Sequence, residues 1–91
     1  MLLNDQQMVM IAKAMADPRR YQIFLQIGGS SAPLPCAELL KTHPVSAATV
    51  SHHTKELEHA GLITTLREGK YVSFRVEREV LQAYARQLMR I

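Results

Sequence analysis

The 91-residue sequence has no tryptophan, only three tyrosines and two phenylalanines, and a single cysteine, Cys36. One cysteine excludes an internal disulfide, and a multi-cysteine zinc site cannot be built from one such chain. No segment approaches the roughly 20 apolar residues of a membrane span. The opening M-L-L-N-D-Q-Q has neither the basic start nor the long apolar run of a secretory signal, so a cytoplasmic location and no membrane partner are expected. Internal repeats, low-complexity tracts, a glycine-rich phosphate loop and a carboxylate pair in a pocket motif are all absent, and Cys36 has no evident base. Without a catalytic constellation, neither an enzyme nor a cofactor or metal site is expected.

Hydrophobic residues make up 47% of the chain and charged residues 21%. That balance suits a helix-rich globular domain and is too apolar for disorder. The net charge of +3 is a mild basic bias, compatible with nucleic-acid binding without requiring it. Residues 1–91 make one domain, near the lower end of what buries a self-sufficient core, so a second copy of the chain is a natural partner.

Asn4 with Gln7 resembles a capping box, after which Met8, Ile11, Ala12 and Met15 recur at helical spacing. Asp17-Pro18 ends this first helix and starts a second. Tyr21, Ile23, Phe24, Leu25 and Ile27 are apolar on nearly every side, as in a central helix buried by several neighbours. Gly28-Gly29 ends it, and Ser30 to Pro35 read as a loop. Pro35 opens a short third helix with Cys36, Leu39 and Leu40 turned inward, and Thr42-His43-Pro44 forces a turn that leaves His43 at the surface.

The stretch V-S-A-A-T-V-S-H-H-T-K-E-L-E-H-A-G-L-I, from Val45 to Ile63, organises the rest. Ser46 is its N-cap, Val50, Thr54 and Leu57 share one side, and Gly61 stops the helix in the left-handed conformation. The other side carries Ala47, Ala48, Ser51, His52 and Lys55, small or hydrogen-bonding side chains that suit insertion into a major groove about 12 Å wide. Two helices joined by a tight turn, the second of them a recognition helix, outline a helix-turn-helix.

After Gly61 the pattern alternates: L-I-T-T-L-R, Glu68-Gly69, then K-Y-V-S-F-R-V, a β-hairpin by composition and turn chemistry. With Glu68-Gly69 as a two-residue turn, Arg67 faces Lys70 and Thr65 faces Val72, and Ile63, Thr65, Val72 and Phe74 form the buried face. Arg67 and Lys70 sit at the tip of a wing able to lie against phosphates. Leu81, Tyr84, Ala85 and Leu88 then mark a fifth helix. The expected fold is mainly α with a small β-hairpin, a winged helix-turn-helix in the order α-α-α-α-β-β-α.

That order, with A-D-P-R-R-Y-Q-I, T-V-S-H-H-T-K-E-L-E-H-A-G-L-I and L-R-E-G-K-Y-V-S-F-R-V, resembles the ArsR/SmtB family of bacterial winged-helix repressors over nearly the whole chain. The resemblance implies a homodimer built on the first and last helices that releases operator DNA when an inducer binds. It would put Met8, Ile11, Met15, Leu81, Tyr84 and Leu88 at or near the dimer seam. The family's metal-sensing motifs are missing: P-C-A-E-L stands where a C-x-C-type pair opens the third helix, and Arg78 and Val80 stand where Asp and His ligands begin the last. Ala47 and Ala48 replace the Gln and Ser or Pro that often open the family's recognition helix.

Among individual residues, Ser51 and His52 are the foremost candidates for base or phosphate contact, since an ordinary solvated face would be richer in Glu, Lys and Arg. Ala47 and Ala48 either touch thymine methyls or merely allow close approach, and Thr49 accompanies them. Lys55, Arg67 and Lys70 are phosphate contacts. Arg19 and Arg20 open the second helix, where the dipole disfavours cations, and phosphate contact gives one of them, Arg20, a reason to be there. Adjacent His52 and His53 diverge by about 100° and cannot chelate one ion together, so His53 reads as an edge-of-core residue and His59 as a helix-end cap. Cys36 reads as a small core hydrophobe in preference to a redox sensor.

The expected function is sequence-specific binding of double-stranded DNA by a homodimeric repressor. Its inducer, whether a small molecule or a redox signal, is not specified by these residues. Two rivals stand beside it: a winged-helix module that binds protein through the same helix, and a metal-responsive repressor with a site drawn from His43, His52, His53 or His59.

Overall fold

The computed structural model describes residues 1–91. Its elements follow local signals at most of their ends. Helix α1 (Asp5–Met15) begins with the reciprocal bonds of a capping box, Asn4 Oδ1 accepting from the Gln7 amide and Gln7 Oε1 from the Asn4 amide, each at 2.8 Å. Helix α2 (Pro18–Gly28) is capped by Asp17, whose Oδ2 accepts from the Arg20 amide at 2.9 Å, with Pro18 in the first turn. Ile23, Phe24 and Ile27 of α2 are buried, but Tyr21 and Leu25 are exposed. The all-round burial expected of α2 is therefore corrected to one inward stripe.

The loop expected between Ser30 and Pro35 contains a two-residue strand, β1 (Leu34–Pro35). It is followed by α3 (Cys36–Thr42), in which Leu39 is fully buried and Cys36 half-buried, while Leu40 points outward against expectation. Helix α4 (Ala47–His59) is capped by Ser46, whose Oγ accepts from the Thr49 amide at 3.1 Å. Gly61 has φ +79°, and nothing lies within 4 Å of where a Cβ would sit.

Strands β2 (Ile63–Glu68) and β3 (Tyr71–Val76) form the hairpin, and β1 joins its far edge to give an antiparallel sheet in the order β1-β3-β2. The two-residue turn is Gly69-Lys70, one position later than Glu68-Gly69, with Gly69 at φ +59°. Arg67 therefore faces Val72, not Lys70, and Thr65 faces Phe74. Because moving the turn by one residue moves each partner by two, side chains keep their faces: Ile63 and Phe74 are buried and Thr65 and Val72 half-buried, as expected.

Helix α5 (Arg78–Met89) closes the chain. The side-chain amide of Gln87 accepts from the Leu3 amide at 2.7 Å and donates to the Leu3 carbonyl at 3.0 Å, which fastens the N-terminal segment to α5. The core joins Ile11 and Ala14 of α1, Ile23, Phe24 and Ile27 of α2, Leu39 of α3, Val50 and Leu57 of α4, the sheet's Ile63 and Phe74, and Ala83 of α5. Ala83 is the one fully buried residue of α5, whose Leu88 and Met89 are exposed. No helix is long and apolar enough to cross a membrane.

Candidate nucleic-acid interface

The core fixes how α4 faces the outside. At about 100° per residue, inward Val50, His53, Thr54 and Leu57 occupy one arc, and Ala47, Ala48, Ser51, His52 and Lys55 occupy an opposite arc of roughly 140°. Ala47, Ala48, His52 and Lys55 are exposed, and Ser51 is half-buried where it turns toward the hairpin. Thr49 lies between the arcs, half-buried, with its hydroxyl 2.9 Å from Ser46 Oγ, so it works with the cap.

An open groove of about 680 Å³ separates this helix from the hairpin. Ser51, Lys55 and Glu58 line it from α4, Cys36 from α3, and Arg67, Lys70 and Tyr71 from the hairpin. Arg67 and Lys70 are both exposed near the tip, although they are not cross-strand partners. Lys70 Nζ instead stands 5.7 Å from the centre of the Tyr71 ring. Tyr71 is 72% exposed, an aromatic side chain at the tip that sequence reasoning does not single out. Its alternation in the strand pattern, which turns it away from Val72, is the signal that could have found it. Lys55, Arg67 and Lys70 border the groove together with the carboxylates of Glu58 and Glu68.

Arg20, half-buried, uses two of its donor atoms inside the protein. Its Nε donates to the Ala14 carbonyl at 2.6 Å and its Nη1 to His53 Nδ1 at 3.3 Å, internal contacts that the sequence did not suggest. Arg19 makes the parallel contact, Nη1 to His43 Nδ1 at 3.2 Å, and His43 Nε2 donates to Gln26 Oε1 at 3.0 Å. His43 is buried, not at the surface, because Arg19 and Gln26 satisfy both ring nitrogens. Burial, and then the Arg19 guanidinium, hold the His43 imidazole below the ordinary histidine range. Burial does the same for His53, outweighing the opposing pull of Asp17, whose Oδ2 lies 3.8 Å from His53 Nε2. The Arg20 amide that bonds Asp17 is the main reason its carboxyl is held below the usual carboxylate range.

His59 is exposed and does not cap α4: the Ala60, Gly61 and Leu62 amides donate to the Glu56, Glu58 and Leu57 carbonyls at its end. Nowhere do three His, Cys, Asp or Glu side chains gather in a group able to hold a metal ion. Cys36 is free, packed against the core on one side and bordering the groove on the other. Of the residues expected at a dimer seam, Met8, Met15, Leu81 and Tyr84 are half-buried and Leu88 is exposed. Ile11 is fully enclosed within its own chain and has no surface to offer a partner.

A family model described as a helix-turn-helix domain matches residues 15–65, the stretch from the end of α1 into β2. No curated protein matches the chain. Among solved structures, an ArsR-like transcriptional regulator from Rhodococcus sp. RHA1 superposes with a TM-score of 0.81 at 25% identity, covering 93% of this chain and 78% of that one. HlyU from Vibrio cholerae N16961 does so with a TM-score of 0.75 at 29% identity, covering 93% and 91%. The homodimeric winged helix-turn-helix DNA-binding domain Mb0332 from Mycobacterium bovis, a possible ArsR-family regulator, matches with a TM-score of 0.75, covering 92% and 77%, and at 22% identity it speaks for the fold alone. With the family model spanning more than half of the sequence, the chain belongs to the helix-turn-helix domain family, as a winged helix-turn-helix transcriptional regulator of the ArsR type.

Proposed function

We propose that the protein is a repressor that binds a palindromic operator as a homodimer in the cytoplasm and catalyses no reaction. The observation that carries this reading is the outward arc of α4, on which Ala47, Ala48, His52 and Lys55 are exposed while Ser51 and Lys55 border the groove that Arg67 and Lys70 of the wing also border. Two such helices related by a twofold axis enter successive major grooves about 34 Å apart, with the wings on the flanks. Ala47, Ala48, Ser51 and His52 face the bases, and Lys55, Arg67 and Lys70 meet the backbone. Support for the pair comes from the homodimeric relative and from the apolar surface at the chain's two ends, where Leu2, Val9, Leu88 and Met89 are exposed together with half-buried Met8, Leu81 and Tyr84.

Operator selection from random duplex DNA, repeated at several salt concentrations, tests the proposal. A consensus with half-sites one turn apart and a steep fall of affinity with salt is expected. A module that binds protein through α4 yields neither, and zinc titration that leaves operator binding unchanged removes a metal-responsive repressor.

A further inference from the structure

Two consecutive residues of α2 each reach a histidine of the helix-turn-helix in the same way. Arg19 donates to Nδ1 of His43, just after α3, and Arg20 donates to Nδ1 of His53, in the middle of α4. A guanidinium only donates, so both Nδ1 atoms are acceptors and both rings carry their proton on Nε2. Each Nε2–H faces an acceptor also supplied by α2 or its cap, Gln26 Oε1 for His43 at 3.0 Å and Asp17 Oδ2 for His53 at 3.8 Å. Both rings are buried, and no buried polar side-chain atom in the protein lacks a partner.

We infer that Arg19 and Arg20 are positioning residues that hold the recognition helix through neutral His43 and His53, and that protonation of these imidazoles opens the clamp and lowers affinity for DNA. The inference rests on the DNA-binding reading above and gives it a regulatory input. A proton on Nδ1 turns each acceptor into a donor aimed at a guanidinium, so a hydrogen bond breaks and two cations are brought together. Around His53 stand Arg20, Arg19, its neighbour His52 and the carboxylate of Asp17, which offsets part of the new charge. Around His43 stand Arg19 and the uncharged Gln26 amide, so its charging has no carboxylate to offset it. Each pH unit below the ordinary imidazole range favours an open state by up to about tenfold per histidine.

His52 and His59 are exposed on the outer side of α4, so the test compares two proteins that both keep them. Fluorescence anisotropy on the selected operator is measured against pH for the parent protein and for a variant at the two buried histidines. Affinity is expected to fall by about tenfold or more between about pH 7.5 and about pH 5, with the dimer mass unchanged. His43→Asn together with His53→Asn, which keeps an acceptor near Nδ1 that cannot titrate, should reduce the fall to about threefold or less. Affinity that stays flat or rises on acidification overturns the clamp.

Should the asparagine variants fail to fold, nitrogen NMR of the imidazoles in the DNA-free protein decides it. The neutral Nε2–H form of His43 and His53 should persist below the ordinary histidine value of 6.5. Amide protection in α4 should drop in the same step as the two rings charge. Charging of His43 and His53 at or above the ordinary histidine value of 6.5, with no change in α4, refutes the inference. A failed clamp leaves binding at about pH 7.5 intact, whereas a failed repressor reading removes specific binding at every pH.

Discussion

The Leu62 amide donates to the Leu57 carbonyl at 3.0 Å, and both side chains are completely buried. With the Gly61 amide on the Glu58 carbonyl at 2.9 Å, this is a Schellman motif with its apolar contact, and it turns the chain from α4 straight into the wing. The angle between recognition helix and hairpin, and so the groove between them, depends on one residue tolerating φ +79°.

Gly61→Ala is therefore expected to cost about 1–2 kcal/mol through backbone conformation alone, since its methyl would meet no atom within 4 Å. In a domain of this size that lowers the melting temperature by roughly 5–10 °C, measurable by circular dichroism. Gly28→Ala is the control. Its backbone is helical and the added methyl would meet Val76 Cγ2 at 3.5 Å, an ordinary contact, so it should be neutral or stabilise by up to about 1 kcal/mol.

Phosphate binding and base reading separate by their salt dependence. Lys55→Ala, Arg67→Ala and Lys70→Ala should each weaken binding to all sequences alike and flatten the salt slope by about 0.9 for each phosphate no longer neutralised. His52→Ala should cost about 1–3 kcal/mol on the preferred operator, much less on random DNA, and leave the slope in place. Anisotropy titrations at several salt concentrations on both duplexes distinguish the two classes. A His52→Ala variant that binds both duplexes more weakly by the same factor would assign the ring to the backbone.

Features written locally were legible in the sequence. Asn4 with Gln7, Asp17 with Pro18, Ser46 and Gly61 each act within a few residues, and the outward arc of α4 follows from helical spacing, so these emerge from the residues as the structure has them. Features that depend on distant partners do not. Leu34 and Pro35 form a strand only because Phe74 and Ser73 lie beside them, and His43 is buried only because Arg19, 24 residues earlier, reaches it. The internal bonds of Arg20 are hidden in the sequence for the same reason: its partners, Ala14 and His53, come from helices on either side of α2. The hairpin turn falls one residue later than its residues suggest because Glu68-Gly69 and Gly69-Lys70 both offer a glycine to a two-residue loop. Gly69 at the first position, with Lys70 at negative φ, is the arrangement of a type II′ turn.

Acid should destabilise the fold in two separate ranges. His43 and His53 are held below the histidine value of 6.5 in the folded state. Their contribution is complete above that value and is lost as pH falls through their folded values, because the unfolded chain takes up protons first. Asp17 and Glu77 are likewise held below 3.8 and 4.5, Glu77 chiefly by the hydroxyl of Thr64 and then by Arg75, so their contribution is lost only at still lower pH as it passes through their folded values. Urea midpoints measured against pH should show both limbs. Glu77→Gln should shrink the lower limb and leave the upper one unchanged, and a variant in which the upper limb also disappears would contradict this assignment.

Ile11 and Leu88 separate folding from pairing. Ile11 has no exposed surface, and Ile11→Ala should cost about 2–4 kcal/mol by opening a cavity between α1 and the rest of the core, with a matching drop in the urea midpoint. Leu88 lies on α5 with 46% of its surface exposed, so Leu88→Lys removes little from the core of a single chain. If α5 pairs two copies, that lysine places a charge on each side of an apolar seam and should convert the dimer to a folded monomer in sedimentation experiments. Operator binding should then weaken by far more than any single side chain on α4 accounts for, because one recognition helix is deprived of the second as a tethered neighbour. A Leu88→Lys protein that stays dimeric would move the seam away from this end of α5, to the exposed apolar residues at the start of the chain.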